Sequence, residues 1–380
     1  MRSENRESMI ALPTRDRIFS RVFSLVAMES YPFQPDMPDP QNNFAARDRK
    51  RVTLSDVARH VGVGPMTVSR ALRTPEMVSV RLRSRILKAV DELGYVRNRV
   101  ASGLASGTAR LVPVIIPTLH HSVYVPFLEG LYSVLPQAGY QILLGTTEYL
   151  VEQEEKLVSA LLGWFPDGLL LSGGDHSART RKMLERVQIP VVEVMDICEN
   201  PIDINIGFSH YQVGVAVAEY LSRKGYREVA YAGTLTEIDF RSVKRIAGFQ
   251  ETLKVRGFSH HLIQRSTEPS SIALGCKLLD ELLRNYPGVR AIFFANDDLA
   301  AGALFECQRR GIRVPDQLAI MGFNDQEIAS AVVPTITSVA TPRREIGLAA
   351  ARMLIAELSG KTVAERRVDT GFEIIEREST

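Results

Sequence analysis

The stretch of this 380-residue chain with the clearest chemistry is Val52 to Leu72, where two short amphipathic segments meet at Gly62-Val63-Gly64. With Val68 and Leu72 turned inward, the opposite side of the second segment carries Pro65, Met66, Ser69 and Arg70. An exposed arginine at such a place can donate two hydrogen bonds to O6 and N7 of guanine, and a methionine can pack on a thymine methyl. Thr67 and Ser69 suit phosphate oxygens, which fix register without reading sequence, and Thr53 at the head of the first segment joins the candidate DNA contacts. Catalytic chemistry has no comparable claim. His120-His121 and His260-His261 are adjacent pairs with no carboxylate or cysteine at metal spacing, and Cys198, Cys276 and Cys307 form no paired framework. Gly173-Gly174 is too short for a phosphate cradle. Neither enzyme activity nor a cofactor is expected.

Three short helices must position the DNA-reading side chains. Thr53 with Asp56 forms a capping-box pattern that opens the first helix at Leu54, and Leu54, Val57, Ala58 and Val61 share its inner face. Pro65 stands where a first helical residue is favoured, because its missing N–H would be unpaired there anyway. Ser79 is placed to cap a third helix carrying Leu82, Ile86, Ala89, Val90 and Leu93, which Gly94 ends. Charge follows the same division. Between Arg47 and Arg110 there are 14 basic residues against 5 acidic ones, whereas from residue 111 onward there are 27 against 33. A basic module on a mildly acidic body is the footprint phosphate binding requires.

From Leu111 the texture becomes alternating apolar runs and amphipathic helices. Strands are expected at Leu111–Ile116, Gln141–Gly145, Gly168–Leu171, Val191–Val194, Ile204–Ile206, Val229–Ala232, Leu262–Gln264, Ala291–Ala295 and Leu318–Gly322. Helices are expected at Phe127–Ala138, Glu152–Trp164, Gln212–Lys224, Arg245–Arg256, Ala273–Asn285 and Asp298–Arg310. That alternation predicts two doubly wound lobes with a ligand cleft beyond the carboxyl ends of their strands. The expected fold class is a small all-α helix-turn-helix domain plus an α/β two-lobed sensor. Its divisions are a disordered extension over residues 1–48, the reader over 49–95, a hinge over 96–109 and the sensor over 110–380. Ile18 to Met28 weakly imitates a signal peptide, but Arg21 interrupts it and no small-residue cleavage site follows. No apolar run approaches a membrane span. The cytoplasm, at the nucleoid, is the expected location.

The run Val52 to Leu72, continued by Val78-Ser-Val, Leu93-Gly-Tyr95 and Asn98-Arg99, resembles the opening of lactose-repressor (LacI) family regulators. Ala295-Asn-Asp-Asp298, Val314-Pro-Asp316, Met321-Gly-Phe323, Pro334-Thr-Ile-Thr337 and Arg377-Glu-Ser-Thr380 match the same family, in order, to the end of the chain. Met66 to Arg70, Asn296 to Leu299, Phe305 to Gln308 and Thr341 to Arg343 look most like its gluconate-repressor branch. The resemblance implies that Pro65, Met66 and Arg70 read bases. It makes Asn98 to Ser106 a hinge that becomes helical on DNA, with Asn98 and Arg99 at its start and Leu104 as a minor-groove wedge. Arg97 and Gly103 depart from the usual hinge pattern. It further implies a homodimer on double-stranded, near-palindromic operator DNA, and a periplasmic-binding-protein-like sensor whose chain crosses between lobes near Ser209, Val339 and Gly371.

For the cleft, the resemblance makes Arg245 the ligand-contacting arginine at the head of a helix, with Arg241 as a second cation. Asn296 and Asp298 match effector contacts, Asp196 and Phe208 match strand ends that face the ligand, and Tyr124 and Ser172 lie in loops after the first and third strands. Three departures bear on ligand identity. Asn324 replaces an aspartate that holds sugar hydroxyls, Ser270 replaces a stacking tryptophan, and Arg343 replaces an apolar residue. Losing a carboxylate and an aromatic plane while gaining a guanidinium favours an open-chain sugar acid as effector. The alternatives are the same architecture responding to a neutral sugar, or a sugar-binding protein without a DNA role.

Overall fold

The computed structural model describes residues 52–96, 108–119, 122–234, 239–258 and 261–380. The proposed N-terminal extension and the hinge candidates Asn98, Arg99 and Leu104 lie outside the described residues, as do His120, His121 and His260. The described residues fall into two compact units, 52–96 and 108–380, whose boundary lies within the proposed hinge.

The first unit is three helices, α1 (Leu54–Val61), α2 (Pro65–Arg73) and α3 (Val80–Leu93). The capping box is present in full. Thr53 Oγ1 accepts from the Asp56 backbone N–H at 3.3 Å, and Asp56 accepts from the Thr53 N–H at 3.0 Å. Gly62 ends α1 at φ 74°, a left-handed conformation that lets the chain turn sharply into α2. Val57, Ala58, Val61, Val68, Ala71, Ile86 and Ala89 form its buried core. Arg85 of α3 donates to the Val61 carbonyl at 2.9 Å and so ties the end of α1 to the third helix. Ser79 occupies the N-cap position of α3, but its side chain makes no capping bond.

The second unit contains two six-stranded sheets. In the N-terminal lobe these are β1 (Leu111–Ile116), β2 (Gln141–Thr146), β3 (Leu169–Ser172), β4 (Val191–Val194), β5 (Ile204–Gly207) and β11 (Arg367–Asp369), ordered β11-β5-β4-β3-β1-β2. In the C-terminal lobe they are β6 (Val229–Thr234), β7 (His261–Ser266), β8 (Ala291–Phe294), β9 (Ala319–Asn324), β10 (Thr337–Ala340) and β12 (Glu373–Ile375), ordered β12-β10-β9-β8-β6-β7. Among the described strands all pairings are parallel except β10 with β12. Every residue of β4, β8 and β9 is buried, as expected when helices cover both faces of a parallel sheet.

The helices are α4 (Val125–Tyr132), α5 (Val151–Leu162), α6 (Ala178–Arg186), α7 (His210–Arg223), α8 (Phe240–Val255), α9 (Ile272–Asn285), α10 (Asp297–Arg310), α11 (Glu327–Ala331) and α12 (Arg343–Leu358). Helices α7 and α8 touch backbone to backbone at Gly214, where a β-carbon would lie 2.0 Å from the Arg245 carbonyl oxygen. The chain passes between lobes at residues 208–209, 341–342 and 370–372, between β5 and α7, β10 and α12, and β11 and β12.

Several local expectations need correction. The helix placed at Arg245–Arg256 begins a full turn earlier, at Phe240, so Arg245 lies in its second turn and Arg241 in its first. The helix placed at Phe127–Ala138 starts at Val125 and ends at Tyr132, giving way to turns. The second crossing, expected near Val339, follows the end of β10 at Thr341-Pro342. Helices α6, α11 and α12 and strands β10, β11 and β12 were not expected at all.

Candidate nucleic-acid interface and ligand cavity

On the first unit, packing Val68 and Ala71 inward leaves Pro65, Met66 and Arg70 exposed along one side of α2, with Met66 72% exposed. Thr67 and Ser69 are half-buried beside them. Thr53 is exposed, and its hydroxyl donates to Asp56 at 2.6 Å. The second helix of the helix-turn-helix thus presents an arginine and an apolar side chain on its free face, with two half-buried hydroxyls beside them.

On the second unit, the loops leaving the carboxyl ends of the strands surround a cavity of about 290 Å³. Thr118 follows β1, Tyr149 follows β2, Met195 follows β4, Phe208 follows β5, Asn296 follows β8 and Asn324 closes β9; all line it. This is where open α/β sheets bind ligands. Of the ten effector candidates, Tyr124, Phe208, Arg241, Arg245, Asn296, Asn324 and Arg343 line this cavity; Ser172, Asp196 and Asp298 do not.

The three arginines are held differently. Arg241 donates from Nε to Asp239 at 3.1 Å, and from Nη1 to Tyr124 at 2.6 Å and Ser172 at 3.0 Å. It also stands over the Tyr149 ring at 5.8 Å. Burial would raise the Asp239 carboxyl, but Arg241 and Arg245 outweigh it and hold it at about 2. Arg245 is buried over the Phe323 ring at 4.3 Å, donating to His210 Nδ1 at 2.9 Å and to Ser242 Oγ at 2.8 Å. Arg343 donates to the carbonyls of Asn324 at 2.6 Å and Val123 at 3.4 Å. Burial lowers its pKa from the ordinary arginine value. Arg245 and Arg343 therefore have only neutral acceptors as bonded partners among the described residues, and the Nε of each is buried without a partner.

Asn296 caps α10 by accepting from the Leu299 N–H at 3.0 Å and donates to Ser270 at 2.8 Å. Asn324 has φ 100°, which turns its carbonyl to Arg343. Asp196 is buried and bound to Lys244 of α8 at 2.6 Å, with Asp175 on the same amine at 2.7 Å. Burial raises the Asp196 carboxyl despite that lysine. Asp298 lies half-buried in the first turn of α10, whereas its neighbour Asp297 is fully buried. Sequence reasoning missed Tyr149, His210, Asp239, Ser242 and Thr341 as lining residues. Two of these stand close to residues singled out, His210 directly after Ser209 and Asp239 two before Arg241, at or next to the start of a helix.

Residues 53–98 match the lacI family of bacterial regulatory proteins, and residues 218–380 match the periplasmic binding protein-like domain. The HTH-type transcriptional regulator GntR of Pseudomonas aeruginosa is 40% identical over 342 residues, which is 90% of this chain and 99% of that one. The chain belongs to the LacI family. GntR of Escherichia coli K12 is 39% identical over 86% of this chain and 98% of its own length. A LacI-family transcriptional regulator from Silicibacter pomeroyi superposes with a TM-score of 0.82 at 36% identity, covering 86% of this chain and 99% of that one. As a LacI-family regulator, the protein joins a DNA-binding helix-turn-helix to a two-lobed α/β domain, and the relatives named here are transcriptional regulators. Among the described residues no helix is long and apolar enough to cross a membrane.

Proposed function

We propose that this LacI-family repressor acts as a cytoplasmic, nucleoid-associated homodimer on a near-palindromic operator, controls sugar-acid catabolism genes, and releases DNA when a gluconate-type acid fills the cavity. One observation carries the ligand class. Two buried arginines line one cavity, bind only neutral partners, and each keeps an unpartnered Nε. Asp239 lies near Arg245, and Asp297 and Asp325 near Arg343, but none is bonded to them. A buried guanidinium with no directly bonded carboxylate is costly, and a carboxylate is the natural partner for its fork. Relatives named GntR and IdnR support the same class. In this reading Arg245 and Arg343 hold the carboxylate, while Asn296 and Asn324 offer amides to the hydroxyls. Asp298 is proposed only as a neighbour of that site. Base reading falls to Arg70, Met66 and Pro65, and phosphate contacts to Thr53, Thr67 and Ser69. The hinge roles of Asn98, Arg99 and Leu104 come from the family resemblance.

A neutral sugar is the second reading, favoured by the aromatic lining of Tyr124, Tyr149, Phe208 and Phe323. Calorimetric titration of the full chain with gluconate and with glucose separates the two. The acid reading requires gluconate to bind much more tightly; equal affinities would discard it and leave the repressor assignment intact.

A further inference from the structure

We propose that His210 is a positioning residue for effector recognition: as a neutral imidazole it fixes the Arg245 guanidinium for the effector's carboxylate and ties that arginine to the N-terminal lobe. The second half of this inference rests on the acid-sugar reading above.

His210 is buried at the first position of α7, directly after the chain crosses between lobes. Its Nε2 lies 3.0 Å from the Met195 carbonyl, which can only accept, so Nε2 carries the proton. Its Nδ1 lies 2.9 Å from Arg245 Nη1, which can only donate, so Nδ1 must offer a lone pair. Only the neutral tautomer with hydrogen on Nε2 satisfies both. A protonated ring would set an N–H against an arginine N–H. The surroundings enforce this choice: Phe208 packs on the ring at 4.6 Å and Phe323 stands 6.0 Å away. Burial, then Arg245 and Arg241, push the His210 pKa well below its ordinary value, while Asp239 opposes them.

The consequence falls on Arg245. His210 and Ser242 hold its two terminal nitrogens, and Phe323 lies beneath its plane at 4.3 Å. The unpartnered Nε is then presented by a guanidinium that does not have to search for its orientation. Met195 follows a strand of the N-terminal lobe, whereas Arg245 sits on a helix packed in the C-terminal lobe. The imidazole therefore joins the anion-binding group to both lobes beside a crossing strand.

The test has two arms. With ring-¹⁵N-labelled histidine in the full-length protein and no ligand, the His210 signals should show a protonated Nε2 and a pyridine-type Nδ1, unchanged from about pH 5 to 8. Titration of His210 within that range overturns the proposal whatever the ligand is. In the second arm, His210→Leu and His210→Gln are titrated with gluconate and glucose. Leucine removes the acceptor and should weaken gluconate binding roughly tenfold or more, while the amide of glutamine, which offers an acceptor and a donor in one plane, should restore most of it. Folded His210→Leu with undiminished affinity for the ligand the wild type binds, or His210→Gln no better than leucine, overturns the positioning role. A wild type that binds glucose as well as gluconate refutes the acid-sugar reading instead, and the same two variants then judge His210 against glucose.

Discussion

Replacing Arg343 with methionine gives the sharpest test of the cavity's electrostatics. The native guanidinium bridges two carbonyls, of Asn324 and Val123, with no carboxylate among its bonded partners, and burial already works against its charge. Methionine keeps an unbranched apolar stem, removes a buried cation that has only the unbonded Asp297 and Asp325 near it, and leaves two carbonyls at the edge of a cavity that water can enter. Those changes oppose one another, so the ligand-free protein should unfold within about 1 kcal/mol of the wild type. Gluconate binding is different, because the variant loses a charge-assisted hydrogen bond worth about 1.5–3 kcal/mol, roughly 10–150-fold in affinity. Thermal or chemical unfolding with added ligand reads this directly. At a gluconate concentration about 100 times the wild-type Kd the wild type gains about 2.7 kcal/mol, while a variant weakened about 100-fold gains only about 0.4. A gluconate-induced shift as large in Arg343→Met as in the wild type would show that Arg343 does not touch the ligand, and the electrostatic reasoning would fail.

Other outcomes follow from the same structure. Arg70→Ala should cost about 1–3 kcal/mol on the preferred operator and relax specificity at one base pair per half-site in a competition gel shift; equal weakening on all sequences would make Arg70 a phosphate contact. Gly214→Ala drives a methyl into the Arg245 carbonyl, so urea unfolding should show a loss of about 1–3 kcal/mol, with gluconate binding impaired as well. His176 is buried between Glu154 and Glu193; burial would lower its pKa, but the two carboxylates raise it to about 9. Its contribution should therefore be complete below about pH 6.5 and fade as pH rises through 9, so wild type and His176→Gln should converge in stability toward pH 10. Analytical sedimentation at micromolar concentration should give a dimer.

Much of this architecture was legible because its signals are local. The capping box at Thr53 and Asp56, the glycine turn at Gly62 and the proline opening α2 need only neighbours in sequence, and the exposed face of α2 follows from them. Strands such as Val191–Val194 announce themselves by their valines, three of four residues, directly after Pro190. Strands β11 and β12 contain three residues each and pair with distant partners, so they have no period to detect. Helix α12 packs against both the sheet and α4, which spreads apolar residues around it and blurs the helical stripe. At the site, residue type suggested the arginines but not their partners. Asp196 finds a lysine because α8 brings Lys244 across from the other lobe, a contact between positions 48 apart that no local pattern encodes.

The central claim is that an acid sugar acts through this cavity to release DNA, and operator binding with and without ligand tests it most directly. Full-length protein on its own upstream DNA, followed by fluorescence anisotropy at fixed salt, should bind specifically without ligand. Saturating gluconate should weaken that binding roughly 5–150-fold, the range of typical allosteric coupling, while glucose at the same concentration leaves it unchanged. Sequence-specific binding that ignores gluconate, or that glucose relieves equally well, would contradict the account.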